Sequence, residues 1–599
     1  MKKDKNLVAL CSNRRQFVMG ASSVIAGMAL PWSVVASTQR QISDIPRLQG
    51  KVFNLDIGHQ KVNFTGKDRL ATTVNGSLPA PTLRWKQGET VTIKVTNYLA
   101  EDTSIHWHGM ILPTEMDGVP GLSYAGIKPG ETFEYQFKVQ QSGTYWYHSH
   151  SGYQEQTGLY GAIVIEPVDA DPIAYDRDYV VILSDWTDED PADVYAKLKK
   201  QSHYYNMKER TFADVWSDVK EKGVSQTLND REMWNEMRMS DSDISDVTGM
   251  TYTFLMNGQT PEKGWAGLFS KGEKIRLRFI NAAAMTLFDV RIPSLKMTVV
   301  AADGQDVAAV TVDDFRIGVA ETYDVVIEPS ADQAHTVFAQ AIDRTGFAYG
   351  VVTPDLNMEA ELPELDPVPV LTMADMGMNH SAMAGEGMMG QSEHSGHQMD
   401  HSMHMNMKEP LLMGTGLAGF GSALAVTHQA TEYGPHIDMR AENPRYKIDD
   451  PGIGLRHHQQ RYGRKVLTYA DLHNLYPTAD PREPSREIEL HLTGNMMRYM
   501  WSINGVKYDD AEPIILRYGE RVRFTLINDT MMNHPMHLHG LWSELETGDA
   551  HNIPRKHTVI VQPGSKVSYL VSADAVGRWA YHCHLRFHMF SMFREVRVV

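Results

Sequence analysis

Residues 75–97 read NGSLPAPTLRWKQGETVTIKVTN, and the same plan returns at 257–281, NGQTPEKGWAGLFSKGEKIRLRFIN, and at 504–528, NGVKYDDAEPIILRYGERVRFTLIN. Each copy holds an Asn-Gly turn, a Gly-Glu turn, an alternating strand and a closing Asn. The Gly of the second turn precedes that Asn by nine residues every time: Gly88 to Asn97, Gly272 to Asn281, Gly519 to Asn528. The strands TVTIKV, KIRLRF and RVRFTL alternate apolar with polar at period two, which predicts a sheet with one buried face. Three copies predict three domains. The turn signals between them, Gly, Pro and Asp at short spacing, favour an all-β chain of sandwiches over βαβ units.

The expected domains span residues 44–168, 176–356 and 440–599 of the 599-residue chain. Residues 192–239 break the pattern and read as helical. The interval between the second and third repeats also carries MADMGMNHSAMAGEGMMGQSEHSGHQMDHSMHMNM, residues 373–407, with ten Met and five His in 35 positions. With almost no aliphatic or aromatic residue to bury, this insert (371–410 at its widest) is expected to be disordered on its own. One reading is a flexible linker. The other is a soft-ligand copper tether, because thioether and imidazole select copper(I).

The first 36 residues place Arg14 and Arg15 ahead of an apolar run, Val18 to Val35, ending at Ala36. This is the pattern of a twin-arginine export signal, which predicts a periplasmic protein, with a short membrane anchor as the alternative. No second comparable run predicts a stable membrane span. Removing the signal takes away five basic residues and one acid, so the formal charge moves from -17 to -21. So acidic a chain is a poor partner for nucleic acid. Of two cysteines, Cys11 lies in the signal and Cys583 is left alone, so no intrachain disulfide forms and Cys583 is either an inert buried thiol or a metal or redox residue.

Cys583 sits in WAYHCHLRFHMFSMF, residues 579–593. Its neighbours His582 and His584 form one of four His-x-His pairs; the others are His106 and His108, His148 and His150, and His537 and His539. Residues i and i+2 of a strand share a face, so each pair presents two imidazoles side by side. Two pairs fall in the first domain and two in the last, which predicts one cluster built between those domains, and eight imidazoles suit two or three metal ions. Cys583 must then face the opposite way from its neighbours. There it can be joined by His588 and by His534, and one thiolate with two imidazoles and a weak axial methionine is the blue-copper arrangement.

With these motifs in order the chain resembles the multicopper oxidases, a family of three cupredoxin-like Greek-key domains. Within it, SIHWHGMILPTEMDGVPGLSYAGI, GTYWYHSHSGYQEQTGLYGAIVIEP, GRWAYHCHLRFHM and the Met/His insert are similar to the periplasmic copper-resistance oxidases of the CopA type. The resemblance implies four copper ions. Type 1 copper would take His534, Cys583 and His588, type 2 would take His106 and His537, and the type 3 pair would take His108, His148, His150, His539, His582 and His584. It also implies one-electron oxidation of a reductant coupled to reduction of dioxygen to water, with Cys583 as the electron path. Asp117 matches an acid that assists protonation near the cluster; read alone, it is a turn Asp before Gly118.

The chain departs from the family pattern twice. The axial methionine usually follows the cysteine by ten residues with a Gly just before it, whereas Met592 follows by nine, after Ser591. Met592 is the expected axial ligand and Met589 its rival. Some members also carry an acid where this chain has Met589, so proton delivery is left to Asp117, water or an acid not identified by sequence. The implied reductant is copper(I) in copper resistance, with phenols as the laccase-like alternative. A third reading is copper sequestration without efficient turnover. A copper-export partner is not legible.

Overall fold

The computed structural model describes residues 45–378 and 417–599, apart from 207, 209 and 238. The repeated motif does the same work three times. Asn75, Asn257 and Asn504 sit at φ of 52°, 51° and 51°, each followed by a Gly at positive φ, as a tight two-residue hairpin turn requires. The closing Asn is fully buried in each copy. Asn97 donates to the carbonyls of Glu101 and Ile127, Asn281 to those of Thr286 and Ile317, and Asn528 to those of Met532 and Val561. One side-chain amide thus ties the strand end to the following loop and to a second segment of the domain, satisfying backbone groups that the loop would otherwise leave unpaired.

Around each motif the pairing is also repeated. Strand Thr90–Asn97 runs parallel to Val52–Val62 and antiparallel to Thr132–Lys138. Ile275–Asn281 does so with Arg177–Trp186 and Thr322–Ile327, and Arg521–Asn528 with Arg486–Asn495 and Ser565–Ser572. A second, five-stranded sheet completes each unit. The expected all-β architecture of three cupredoxin-like sandwiches is what the chain adopts.

The alternating strands differ in one respect from a sheet with one wet face. Thr90–Asn97 does alternate buried and accessible residues, but Ile275–Asn281 and Arg521–Asn528 are buried on both faces. Their polar residues are arginines matched to acids. Arg276 and Arg278 meet Asp324, and Arg521 and Arg523 meet Glu544 and Glu546. Such pairs let a charged face be covered because each guanidinium keeps a hydrogen-bonded counter-charge.

The helical expectation for 192–239 resolves into three helices, Pro191–Lys200, Phe212–Lys222 and Val224–Met237. Residues 371–378 at the start of the Met/His-rich insert are anchored: Leu371, Met373 and Met376 are buried, and Asp375 pairs with Arg456. The rest of the insert and the expected signal lie outside the described residues. Among the described residues no helix is long and apolar enough to cross a membrane.

Candidate metal centres

Strand pairing assembles the donors. In the first domain His106 pairs with His148 across neighbouring strands; in the third, His537 pairs with His582 and Met536 with Cys583. Alternation along Gly577–Cys583 sends His582 to one side and Cys583 to the other, and His584 returns to the side of His582. The two domains bring all eight paired histidines together. His150 Nε2 lies 3.4 Å from His582 Nε2, His539 Nε2 lies 3.1 Å from the same atom, and the rings of His106 and His539 stack at 3.9 Å.

Within the eight, the geometry divides the six histidines that sequence left as one set. His108, His148 and His584 bring their donor atoms within 4.8 Å of one another, as do His150, His539 and His582. His106 and His537 converge in a third group with His539. Outward-facing nitrogens are held by carbonyls: His106 Nδ1 donates to Asp117 O at 2.7 Å, His537 Nδ1 to His557 O at 2.6 Å, and His148 Nδ1 to Ser149 O at 3.0 Å. These bonds fix the tautomer and leave Nε2 as a lone-pair donor.

Several donors have no partner at all. His106 Nε2, His148 Nε2, His537 Nε2 and both nitrogens of His108 and His584 are buried without a hydrogen bond. Burial first, and neighbouring imidazoles second, push His108, His537, His539 and His584 well below the ordinary imidazole range, and His582 is pushed down to about 3. Neutral, unpartnered and convergent imidazoles cost free energy without a cation and are what a copper cluster requires. The donor set fits copper.

On the other side of the strand His534 Nδ1 lies 3.4 Å from Cys583 Sγ and 3.3 Å from His588 Nδ1, and His588 Nδ1 lies 3.9 Å from the sulfur. All three residues are fully buried. Burial pushes the Cys583 thiol up, so ionising it takes a cation at the sulfur. Trp501 stacks on His588 at 3.9 Å and Thr530 Oγ1 holds His534 Nε2 at 2.8 Å. Met592 is fully buried; its carbonyl accepts from Cys583 N and its N–H donates to His588 O. Residues Arg586–Met589 form one helical turn on the path from Cys583 to Met592. Met589 packs in a separate cluster with Val119, Leu122, Ala580 and Phe593, and its sulfur accepts from Arg586 at 3.7 Å.

Asp117 is both things that the sequence allowed. Its backbone closes the turn Thr114–Met116, and its carboxylate, 1% exposed, lies 2.9 Å from His539 Nδ1. Three further residues escaped sequence reading because only folding brings them close. Glu155, buried in the loop after His150, lies 3.3 Å from His148 Nδ1 and 3.8 Å from His584 Nδ1. The His557 ring lies 4.6 Å from that of His108, and its Nε2 is unpartnered. Asp246, from the second domain, accepts from His588 Nε2 at 2.7 Å.

Family models described as multicopper oxidase match residues 56–170, 177–353 and 481–598. Copper resistance protein A of Escherichia coli is 54% identical, over 98% of this chain and 99% of the relative. Multicopper oxidase MmcO of Mycobacterium tuberculosis is 28% identical, over 88% and 83%. Among solved structures, Fet3p, described as a multicopper oxidase that functions in iron import, superposes with a TM-score of 0.59 at 19% identity, over 92% of this chain and 90% of the other, a likeness of fold. On its matched domains and near-complete alignment, the chain belongs to the multicopper oxidase family, enzymes that carry four coppers.

Proposed function

We propose that this copper-dependent oxidase takes copper(I) as its reductant and dioxygen as its oxidant in copper resistance. The reading is supported by the donor geometry, by the likeness to copper resistance protein A, and by the Met/His-rich segment. His534, Cys583 and His588, with Met592 as axial ligand, are assigned to type 1 copper. His106 and His537 are assigned to type 2. The triads His108, His148, His584 and His150, His539, His582 are assigned to the two type 3 ions. When bound, copper supplies one-electron oxidation at the thiolate site and four-electron reduction of dioxygen at the cluster.

The single observation that carries the proposal is the linkage at Cys583. One side chain of the thiolate set is covalently continuous with His582 and His584, members of the two different triads. Storage of copper needs no such connection, which sets the sequestration reading aside. Asp117 holds His539 through its carboxylate and His106 through its carbonyl, so one residue orients ligands from two domains and carries an acid to the cluster edge.

Residues 1–36 are proposed to direct export by the twin-arginine route to the periplasm, where copper(I) is met before it enters the cytoplasm. The Met/His-rich segment is proposed to gather copper(I), with phenols as secondary substrates. The test is deletion of residues 379–407, which leaves the packed Met373 and Met376 in place. The proposal expects kcat/KM for copper(I) to fall at least tenfold while that for a phenol stays within twofold. Equal losses on both would favour a laccase-like oxidase with no dedicated copper(I) route.

A further inference from the structure

A second group of imidazoles and carboxylates lies in the third domain, distinct from the donor sets above. His428 Nδ1 is 2.8 Å from Glu432 Oε2, and His491 Nδ1 is 2.7 Å from Asp529 Oδ2. The cross-distances are 3.5 Å from His491 Nδ1 to Glu432 Oε2 and 3.7 Å from His428 Nδ1 to Asp529 Oδ2. Each of the two imidazole nitrogens therefore lies within 3.7 Å of both carboxylate oxygens, with the two rings 4.8 Å apart. Glu432 and Asp529 are fully buried and His491 is 1% exposed, while the side chain of His428 is 14% exposed and connects the group to solvent.

The carboxylates here are met by imidazole rather than by guanidinium, with His491 hydrogen-bonded by carboxylates on both ring nitrogens. Buried Glu544 and Glu546 meet arginines, but the ion pairs of Glu432 and Asp529 among the described residues are with histidine alone. A third carboxylate, Glu489, lies 3.2 Å from His491 Nε2. Glu432 Oε1 is buried with no hydrogen-bond partner. Unpartnered buried carboxylate oxygen is costly, and a cation is its ordinary remedy.

The spacing suits a metal ion. Nitrogen and oxygen ligands at roughly 2.0–2.2 Å from a first-row ion stand about 2.8–3.6 Å apart at neighbouring positions, from square-planar to tetrahedral geometry. The four contacts, 2.7, 2.8, 3.5 and 3.7 Å, lie within about 0.1 Å of that range, the two short ones having hydrogen-bond length as well. His491 would then keep its Nε2–H donated to Glu489, the carboxylate–histidine–metal arrangement that orients a ligand.

We propose that His428, Glu432, His491 and Asp529 form a binding site for a divalent first-row transition ion, and that copper(II) fills it in the copper-loaded protein. Copper(II) is the strongest binder of this series to nitrogen and oxygen donors, ahead of zinc(II). The site bears on the oxidase through one residue step: Asp529 precedes Thr530, whose hydroxyl holds His534 Nε2 at 2.8 Å. Its first two ligands, His428 and Glu432, also follow the Met/His-rich segment in the chain.

The test is titration of copper(II) sulfate into the four-copper mature protein, comparing the wild type with His428→Gln and Glu432→Gln, the first at a partly exposed position chosen to spare the fold. Copper retained after gel filtration and electron-spin spectra of the added ion are read, with the blue band as the check on the oxidase centres. The expected result is one further tight copper(II) with imidazole nitrogen coupling in the wild type. Affinity for it should be at least about 100-fold weaker in each variant, or about 2.7 kcal/mol, with the blue band unchanged. The same number of added ions, bound equally tightly, in wild type and variants would overturn the proposal, as would the absence of a further tight ion in the wild type.

Discussion

Asp246 Oδ2 lies 2.7 Å from His588 Nε2, joining residues 342 positions apart. Tyr499 donates to the same carboxylate oxygen at 3.0 Å. The second domain, which holds none of the paired histidines, therefore reaches His588, proposed as a type 1 copper ligand. A carboxylate accepting from Nε2–H makes the imidazole a stronger donor through Nδ1 and favours the more highly charged copper ion. Asp246→Asn keeps a hydrogen-bonding group of the same size and removes the charge. The type 1 potential should rise by roughly 60 mV, the one-electron equivalent of about 1.4 kcal/mol. Redox titration of the blue band measures it, and an unchanged or lower potential contradicts the assignment.

Met592, fully buried and tied through its backbone to Cys583 and His588, is the residue proposed as the weak fourth ligand, and such ligation would stabilise the oxidised ion. Met592→Leu conserves volume and apolarity, so the fold should tolerate it at a cost under about 1.5 kcal/mol. The type 1 potential should rise with the blue band retained. A potential identical to that of the wild type would show that the sulfur is not a ligand.

Gly118 follows Asp117 at φ of 85°, and a Cβ there would come within 1.9 Å of the Ile105 carbonyl oxygen. Ile105 immediately precedes His106, so the collision is transmitted to a cluster ligand. Gly118→Ala should cost more than about 2 kcal/mol locally and remove the type 2 and type 3 signals. The blue band should survive, because His534, Cys583 and His588 belong to the third domain. Loss of the blue band together with the cluster would mean that the third domain had unfolded as well.

Asp366 joins the second domain to the segment that leads into the third, accepting from Arg291 Nη1 at 2.7 Å and from Arg464 Nη2 at 2.8 Å. Burial alone would raise its pKa, but Arg291 and then Arg464 outweigh it and hold the carboxyl at about 2. A folded value below the unfolded one of about 3.9 contributes stability that is present above pH 4 and is lost as pH falls through 2. For the metal-free protein, Asp366→Asn should lower unfolding free energy by about 1–2 kcal/mol near pH 6, with the difference shrinking below pH 4. Denaturant unfolding across that range checks both magnitude and window.

How much of this was legible in sequence follows from the range of each contact. The Asn-Gly and Gly-Glu turns and period-two strands are local signals, and they specified the three sandwiches because each copy repeats the same turn geometry. His582, Cys583 and His584 were legible because alternation on a strand is geometric. The partition of six histidines into two triads was not, since it depends on how His108 and His150 of one domain approach His584 and His582 of another. Asp246 and His557 lie in no quoted motif, and Glu155 lies in one without a role assigned to it: an acid in a loop reads as solvated until the fold buries it. The burial of Arg276 and Arg523 was also hidden, because alternation with a charged residue predicts a wet face unless the matching acid is known.

The central claim is that Cys583 binds copper on one side of its strand while its neighbours bind the cluster on the other. It is tested most directly by visible and electron-spin spectra, with copper content, of the copper-loaded wild type and Cys583→Ser. The account predicts an intense blue thiolate band and a type 2 signal in the wild type. In the variant the band should vanish with one copper fewer, the type 2 signal should persist, and turnover should fall below about a thousandth. A wild type that binds copper without the blue band, or a Cys583→Ser variant that retains it, would contradict the account.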